Sequence, residues 1–216
     1  MTLPAGELFS PPKQKRSRES LERLLAAATA VLEEGGYEAF GVHEVSRRAG
    51  VGIGVVYARL GSKEGLFMAV HARALERFAT DRDELLGSVR ADDASMAGLI
   101  AAAVDAQAEI FRRHRKLLRV FMVRAETDRW ILERGARASD ANARAFAALL
   151  LARRDEIRHP DPELAVDVAY RLVFDTLARR IMRGATFESS RPIEWDALVR
   201  ELARACAAYL LHPPGE

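Results

Sequence analysis

The chain has 216 residues, 49% of them hydrophobic and 30% charged, with a net charge of only +2. That length allows one domain or two small ones with an ample core, and the near-neutral balance excludes a polycation, so any nucleic-acid contact needs locally placed charge. No apolar run approaches the roughly 18 residues of a membrane span, residues 1–20 lack the apolar stretch of a signal peptide, and the single cysteine, Cys206, excludes an internal disulfide and suits a reducing cytoplasm.

Residues 1–16 carry Pro4, Pro11 and Pro12 in a polar run and read as a disordered arm. Lys13, Lys15, Arg16 and Arg18 cluster at its end. They form either a solvated tail or a contact to phosphate or the minor groove. A first helix is expected from Ser17 or Ser20, either of which suits an N-cap, to Glu34. Leu21, Leu24, Leu25, Ala28 and Leu32 give it one apolar stripe. Gly35 and Gly36 stop it, and Tyr37 and Phe40 pack the connection that follows.

Two short helical patterns come next, at about 42–48 and 53–60. Val42, Val45 and Ala49 line the first, and Val56 and Leu60 the second. Ala49-Gly50-Val51 fits the turn between them: Gly50 can take a positive φ, and Val51 can plug the angle. Two helices across a short Gly turn make a helix-turn-helix, here at about 41–60. Its second helix can enter a DNA major groove with its N-terminal residues at base edges. Ile53, Val55, Ala58 and Arg59 are expected to face outward. Arg59 suits bidentate guanine readout, with a phosphate contact or an internal salt bridge as the plainer alternative, and the small apolar side chains suit thymine methyls. Gly54 allows close approach to the backbone, and Tyr57 offers an O–H to phosphate. The N-terminus of the first short helix, at Gly41 and Val42, can face a phosphate, and His43 lies exposed beside it.

This stretch resembles the TetR family of bacterial transcriptional regulators. The resemblance rests on Gly36-Tyr37, Val42, Val45, Ala49-Gly50-Val51, Gly54, Tyr57 and Leu60, then Ser62-Lys63-Glu64 and Leu66, in register without insertion. It covers about the first third of the chain. It implies an all-α protein, with a three-helix DNA-binding domain at 17–66 and a larger helical effector-binding and dimerisation domain at 67–216. It makes Lys63 a phosphate clamp. The chain departs from the family at three points: Gly41, Gly52 and Val55 stand where Ser or Thr is usual, so the DNA face lacks three hydroxyls.

From Lys63 to about Arg90 one long helix, or two joined ones, carries Leu66, Phe67, Val70, Ala74 and Phe78. Ala91-Asp92-Asp93 breaks it, and Asp93 or Ser95 suits the next cap. Residues 95–113 and 115–126 read as two helices, the second apolar on most sides and so buried. Helical pattern continues over 128–158, up to His159-Pro160. Asp161 and Pro162 start the next helix as N-cap and first residue, and Gly184 ends it. That helix has two apolar stripes: Leu164, Val168 and Leu172, and Val166, Tyr170, Phe174, Leu177 and Ile181. A last helix from near Pro192 to Leu211 carries Leu198, Leu202, Cys206 and Tyr209. Val168, Leu172, Leu198, Leu202 and Tyr209 are the expected homodimer interface, a symmetric four-helix contact. Filling of both faces within one chain is the alternative.

No P-loop, GxGxxG, HExxH, CxxC or Gly-x-Ser-x-Gly occurs, and the histidines have no paired ligand spacing. Neither a catalytic site nor a cofactor is expected. Phe111, Phe121, Met122, Trp130, Phe146, Tyr170 and Phe174 are the candidate lining of a pocket for an apolar or amphipathic small effector, or else ordinary core. The reading is a cytoplasmic, homodimeric regulator of a palindromic operator, released from DNA by that effector. The rivals are a helical protein-interaction module with a vestigial helix-turn-helix, and an all-α enzyme.

Overall fold

The computed structural model describes residues 15–89 and 95–212. The basic arm up to residue 14 and the break at 91–93 lie outside the described residues. Among the described residues eight α-helices follow one another: α1 (Lys15–Ala39), α2 (Val42–Ala49), α3 (Ile53–Leu60), α4 (Lys63–Gly87), α5 (Met96–Ala125), α6 (Arg129–Leu151), α7 (Pro162–Arg183) and α8 (Trp195–Leu211). The described residues contain no strand, in keeping with the all-α expectation.

The helix limits follow local chemistry. α1 starts at Lys15, so neither Ser17 nor Ser20 is its N-cap. It kinks at Gly36, where φ is 67° and ψ −165°, and one further turn reaches Ala39. Ser95 caps α5, its Oγ accepting the Gly98 N–H at 3.2 Å. α5 then runs unbroken to Ala125, where two helices were expected. His114, the residue between the two expected pieces, is buried. Its Nε2 meets the Asp81 carboxylate at 2.7 Å, and its ring lies 4.3 Å from that of Phe78. Glu109 accepts from Arg112 and Arg113 on the same stretch, adding i,i+3 and i,i+4 pairs. No residue there interrupts the backbone ladder. α6 is capped by Asp128, which accepts the N–H groups of Trp130 and Ile131, and it ends at Leu151, short of the expected 158. α7 behaves as expected: Asp161 accepts the Leu164 N–H at 3.0 Å, proline begins the helix and Gly184 closes it. α8 begins at Trp195, three residues after Pro192.

The chain forms two compact units. One holds residues up to Arg77 together with Lys116–Gly135; the other holds Phe78–Arg115 and Ala136–Glu216. The residues expected to form the body, from 67 onward, are thus shared between them.

In the first unit the stripe of α1, with Leu24, Ala28 and Leu32, is buried with Phe40, Val45, Val56 and Leu66. Each of the larger side chains, Leu, Val and Phe, contributes roughly 1.5–3 kcal/mol by leaving water, and Ala28 less. A chain of rings extends this core: Tyr37 to Phe67 at 4.9 Å, Phe67 to Phe121 at 5.8 Å, Phe121 to His71 at 4.6 Å, and His71 to Trp130 at 5.6 Å. In the second unit Val104, Phe146, Leu150, Val166, Val173, Leu177 and Leu210 are buried, with Cys206 among them. Burial pushes the Cys206 thiol up to about 11, so at neutral pH it stays protonated.

Gly65 has no room for a side chain. A Cβ there would lie 1.9 Å from the Leu60 carbonyl oxygen, which is backbone and cannot swing away. Gly65→Ala should cost at least about 2 kcal/mol, because α3 and α4 must part. Gly135, inside α6, has open space at the same position, so Gly135→Ala should instead stabilise by about 0.5–1 kcal/mol. Urea unfolding of the two variants would check both signs.

His71 is 1% exposed. Burial, and then the nearby Arg134, lower its pKa from 6.5 to about 4. The unfolded chain therefore binds a proton that the folded chain refuses between those two values. Stability is fully present above the unfolded pKa and falls as pH drops towards about 4, by roughly 3 kcal/mol for the full shift. In His71→Leu that segment of the stability–pH curve should flatten, measured as the urea midpoint at a series of pH values.

Candidate nucleic-acid interface

α2 and α3 are held on α1 by packing and by a few polar ties. Val42, Val45 and Ala49 of α2, Val51 of the turn, and Val56 and Leu60 of α3 are all buried. Gly50 ends α2 with φ 60° and ψ 36°, its N–H turned back to the last carbonyls of that helix. The Ser46 hydroxyl donates to the Val51 carbonyl oxygen and fixes the turn. Arg23 of α1 donates to the Ala49 carbonyl at 3.3 Å, and Arg48 of α2 reaches Glu34 of α1 at 2.6 Å.

This packing leaves the opposite face of α3 in water. Gly54, Val55, Tyr57 and Ala58 are exposed, and Ile53 and Arg59 are half-buried. Tyr57, with 48% of its surface exposed, is one of the large apolar groups left open. His43 is exposed on α2. The Val42 side chain is core, so only its backbone amide is available at the helix end. The structure thus brings Gly41, His43, Gly52, Ile53, Gly54, Val55, Tyr57, Ala58 and Arg59 onto one helix pair. Lys63 starts α4. Its Nζ lies 4.4 Å from the Tyr37 ring centroid and 3.5 Å from the Tyr37 carbonyl oxygen, which anchors the ammonium beside α1.

Both short helices begin at a glycine N-cap with no side-chain hydrogen bond. Their first-turn N–H groups therefore lack a side-chain acceptor, and an anionic oxygen is the partner their dipoles favour. Glu44, in the first turn of α2, would oppose an anion there. It is neutralised by Arg47 Nε and Arg48 Nε, which donate to its carboxylate at 2.9 and 2.6 Å and hold its pKa down at about 2. The i,i+3 and i,i+4 spacing of these three residues is the signal of this pairing in the sequence.

The seven aromatic and methionine candidates divide between the two units. Phe121, Met122 and Trp130 belong to the first unit; Phe111, Phe146, Tyr170 and Phe174 belong to the second. The latter four are contiguous: Phe111 to Phe174 at 5.2 Å, Tyr170 to Phe174 at 5.8 Å, and Phe146 to Tyr170 at 5.7 Å. Gln107 and Asn142 lie with them, bonded at 2.8 Å, and were missed by an argument confined to aromatic residues. A separate cavity of about 750 Å³ opens in the same unit, lined by Leu85, Leu99, Asp105, Trp195, Asp196 and Val199 among others. Burial, and then Asp196, raise the pKa of Asp105. None of the seven candidates lines that cavity.

Of the expected dimer residues, Leu172 is 50% exposed, and Val168, Leu198, Leu202 and Tyr209 are half-buried. Leu164, in the same stripe as Leu172, is 53% exposed. The other α7 stripe, with Val166, Tyr170 and Leu177, is core.

The fold and the exposed α3 face define a helix-turn-helix protein carried on a helical body. A family model for bacterial regulatory proteins of the tetR family matches residues 24–70, and one for a tetracyclin repressor-like C-terminal domain matches residues 95–210. The second match alone covers more than half of the chain, and this chain belongs to the TetR family of transcriptional regulators. Over 72 residues it is 39% identical to the HTH-type transcriptional repressor KstR of Mycolicibacterium smegmatis, a match covering 32% of this chain and 35% of KstR. The match therefore spans about a third of that relative. A TetR-family regulator from Mesorhizobium loti aligns at a TM-score of 0.67 and 19% identity, over 91% of this chain and 97% of its own. A transcriptional regulator from Rhodococcus sp. Rha1 aligns at 0.64 and 25% identity, over 87% and 94%. No described helix is long and apolar enough to cross a membrane.

Proposed function

We propose that this chain is a cytoplasmic repressor that binds a palindromic operator as a homodimer and is released by a small apolar or amphipathic effector. Residues 17–66 read the DNA, and residues 67–216 dimerise and take the effector. The observation that carries this reading is the exposed outer face of α3, kept free of packing while its inner face is core. In the major groove that face meets base edges, Arg59 pairing with guanine and Val55 and Ala58 touching thymine methyls. The uncapped starts of α2 and α3 sit against phosphates, with Tyr57, His43 and Lys63 at the groove edge. Lys63 has to leave, or share, its seat on Tyr37 to do so.

The exposed stripe of α7, Leu164, Val168 and Leu172, packs on its symmetry mate together with Leu198, Leu202 and Tyr209 of α8. Two copies then present two α3 helices to two half-sites. The effector site is the cluster of Phe111, Phe146, Tyr170 and Phe174. An effector releases DNA by binding better to a conformation in which the two reading heads no longer match the half-site spacing.

Two measurements test the reading. Light scattering should report twice the chain mass. Leu172→Glu should give folded monomers by circular dichroism, since each copy loses about 2 kcal/mol of apolar burial and gains a charge at the two-fold axis. A monomeric wild type at micromolar concentration would remove both the dimer and the palindrome.

Selection of bound sequences from random duplexes should return an inverted repeat. On that site Arg59→Ala should cost roughly 1–3 kcal/mol and relax one base pair per half-site. Lys63→Ala should weaken all duplexes alike and lower the salt slope by about one. Equal loss on every sequence for Arg59→Ala would make it a phosphate contact. No salt-dependent duplex binding at all would leave the interaction-module reading.

A further inference from the structure

The second unit buries a polar group its own chain does not satisfy. Gln107, on α5, is 0% exposed. Its Oε1 accepts from Asn142 Nδ2 of α6 at 2.8 Å, and the same Nδ2 lies 3.3 Å from the Tyr170 hydroxyl of α7. That hydroxyl donates to the Ser139 carbonyl at 3.1 Å and lies 3.4 Å from the Ser139 hydroxyl. Three helices thus share one network. Yet Gln107 Nε2 and Asn142 Oδ1 are buried with no hydrogen-bond partner. An amide nitrogen has two donors to place and a carbonyl oxygen two lone pairs, so the network is left with one open donor group and one open acceptor. Exchanging O and N in both amides merely swaps which residue offers which, so the count is preserved.

Open buried polar atoms are rare in folded proteins because they forfeit water without compensation. A glutamine kept in an otherwise apolar stripe, one turn from Phe111 and joined to Tyr170 through Asn142, therefore calls for a partner from outside the chain. We infer that Gln107 and Asn142 are the polar anchor of the effector site, and that its ligand is uncharged, presenting a hydrogen-bond acceptor and a donor at one end of an apolar body. An alcohol or a primary amide meets both atoms. A carboxylate offers acceptors only and leaves Asn142 Oδ1 facing a negative oxygen. An ammonium offers donors only and leaves Gln107 Nε2 open. The anchoring residues Gln107, Asn142, Ser139 and Tyr170 are all uncharged side chains, so none supplies a counter-ion to either. Phe111 and Phe174, in edge-to-face contact with ring centroids 5.2 Å apart, have to part or offer their outer faces to take the apolar body.

This inference rests on the effector reading given above, and its test separates the two. The probes are a medium-chain primary alcohol, the primary amide of the same chain length, the carboxylate well above its pKa, and the alkylammonium. Binding is read by thermal unfolding and by the side-chain amide NMR signals of Gln107 and Asn142 in the full chain. The alcohol and amide should bind about tenfold or more tighter than either ion, and both amide signals should move. The double variant Gln107→Leu/Asn142→Leu removes both open atoms together, so it should fold at least as stably as the wild type while losing that head-group preference. Tighter binding of the carboxylate or the ammonium, unmoved amide signals, no binding by any probe, or an unchanged preference in the double variant would overturn the site. Should the probes bind as expected but leave the operator complex intact, the site stands and release by effector fails. Should a compound release DNA without moving the Gln107 signal, release stands and this site fails.

Discussion

The reading head depends on one short turn. Between α2 and α3 the chain must reverse in three residues while keeping Val45 and Val56 on the same core. Gly50 adopts the left-handed conformation that lets α2 stop within one residue, and Val51 inserts its side chain where the two helices diverge. The Ser46 hydroxyl then satisfies the Val51 carbonyl, which would otherwise have no place in either helix. With that angle set, the outward direction of every other α3 side chain follows from helical spacing. A second constraint sits at the far end of α3, where the Leu60 carbonyl lies against the bare Cα of Gly65. Together the two glycines hold α3 from both ends, and neither requires a contact to DNA.

The lost hydroxyls at Gly41, Gly52 and Val55 change how such a face can work. A serine or threonine cap accepts an N–H of the first turn and also donates to a phosphate; glycine does neither, at a cost to the helix of only a few tenths of a kcal/mol. What remains are the N–H groups themselves and the dipole behind them. Such contacts carry no base information, so sequence preference must come from the few side chains on α3 that reach base edges. The pairing of Glu44 with Arg47 and Arg48 fits this economy: it cancels a carboxylate that would repel the backbone phosphate at the start of α2. It also uses up two of the cations that a count of charges would have credited to DNA.

Local chemistry made much of the fold legible in the sequence. α2, α3 and α7 begin or end at Gly, Asp-Pro and a left-handed glycine, signals that act within a turn of where they stand. What was not legible was tertiary. The continuity of α5 through His114 depends on Asp81 and Phe78, more than thirty residues away, so a histidine that looked like a joint is a packed residue. The same holds for the aromatic candidates. Phe121 and Trp130 carry the same side-chain chemistry as Phe111 and Phe174, yet the first pair packs with His71, while Phe111 packs on Phe174 and Phe174 on Tyr170. Helical spacing says that a ring is buried, and only the fold says against what.

That difference separates core from binding site more sharply than ring content does. Around His71 burial is met in part by giving up a proton: the imidazole stays neutral, with Phe121 and Trp130 against it, although its Nδ1 too has no hydrogen-bond partner. Around Gln107 no such escape exists, because an amide cannot titrate. Its buried donor has to be matched by another group or carried as a standing cost to stability. An amide pair on α5 and α6, tied to Tyr170 of α7, is therefore better explained by a partner that binds than by the stability of the unit itself.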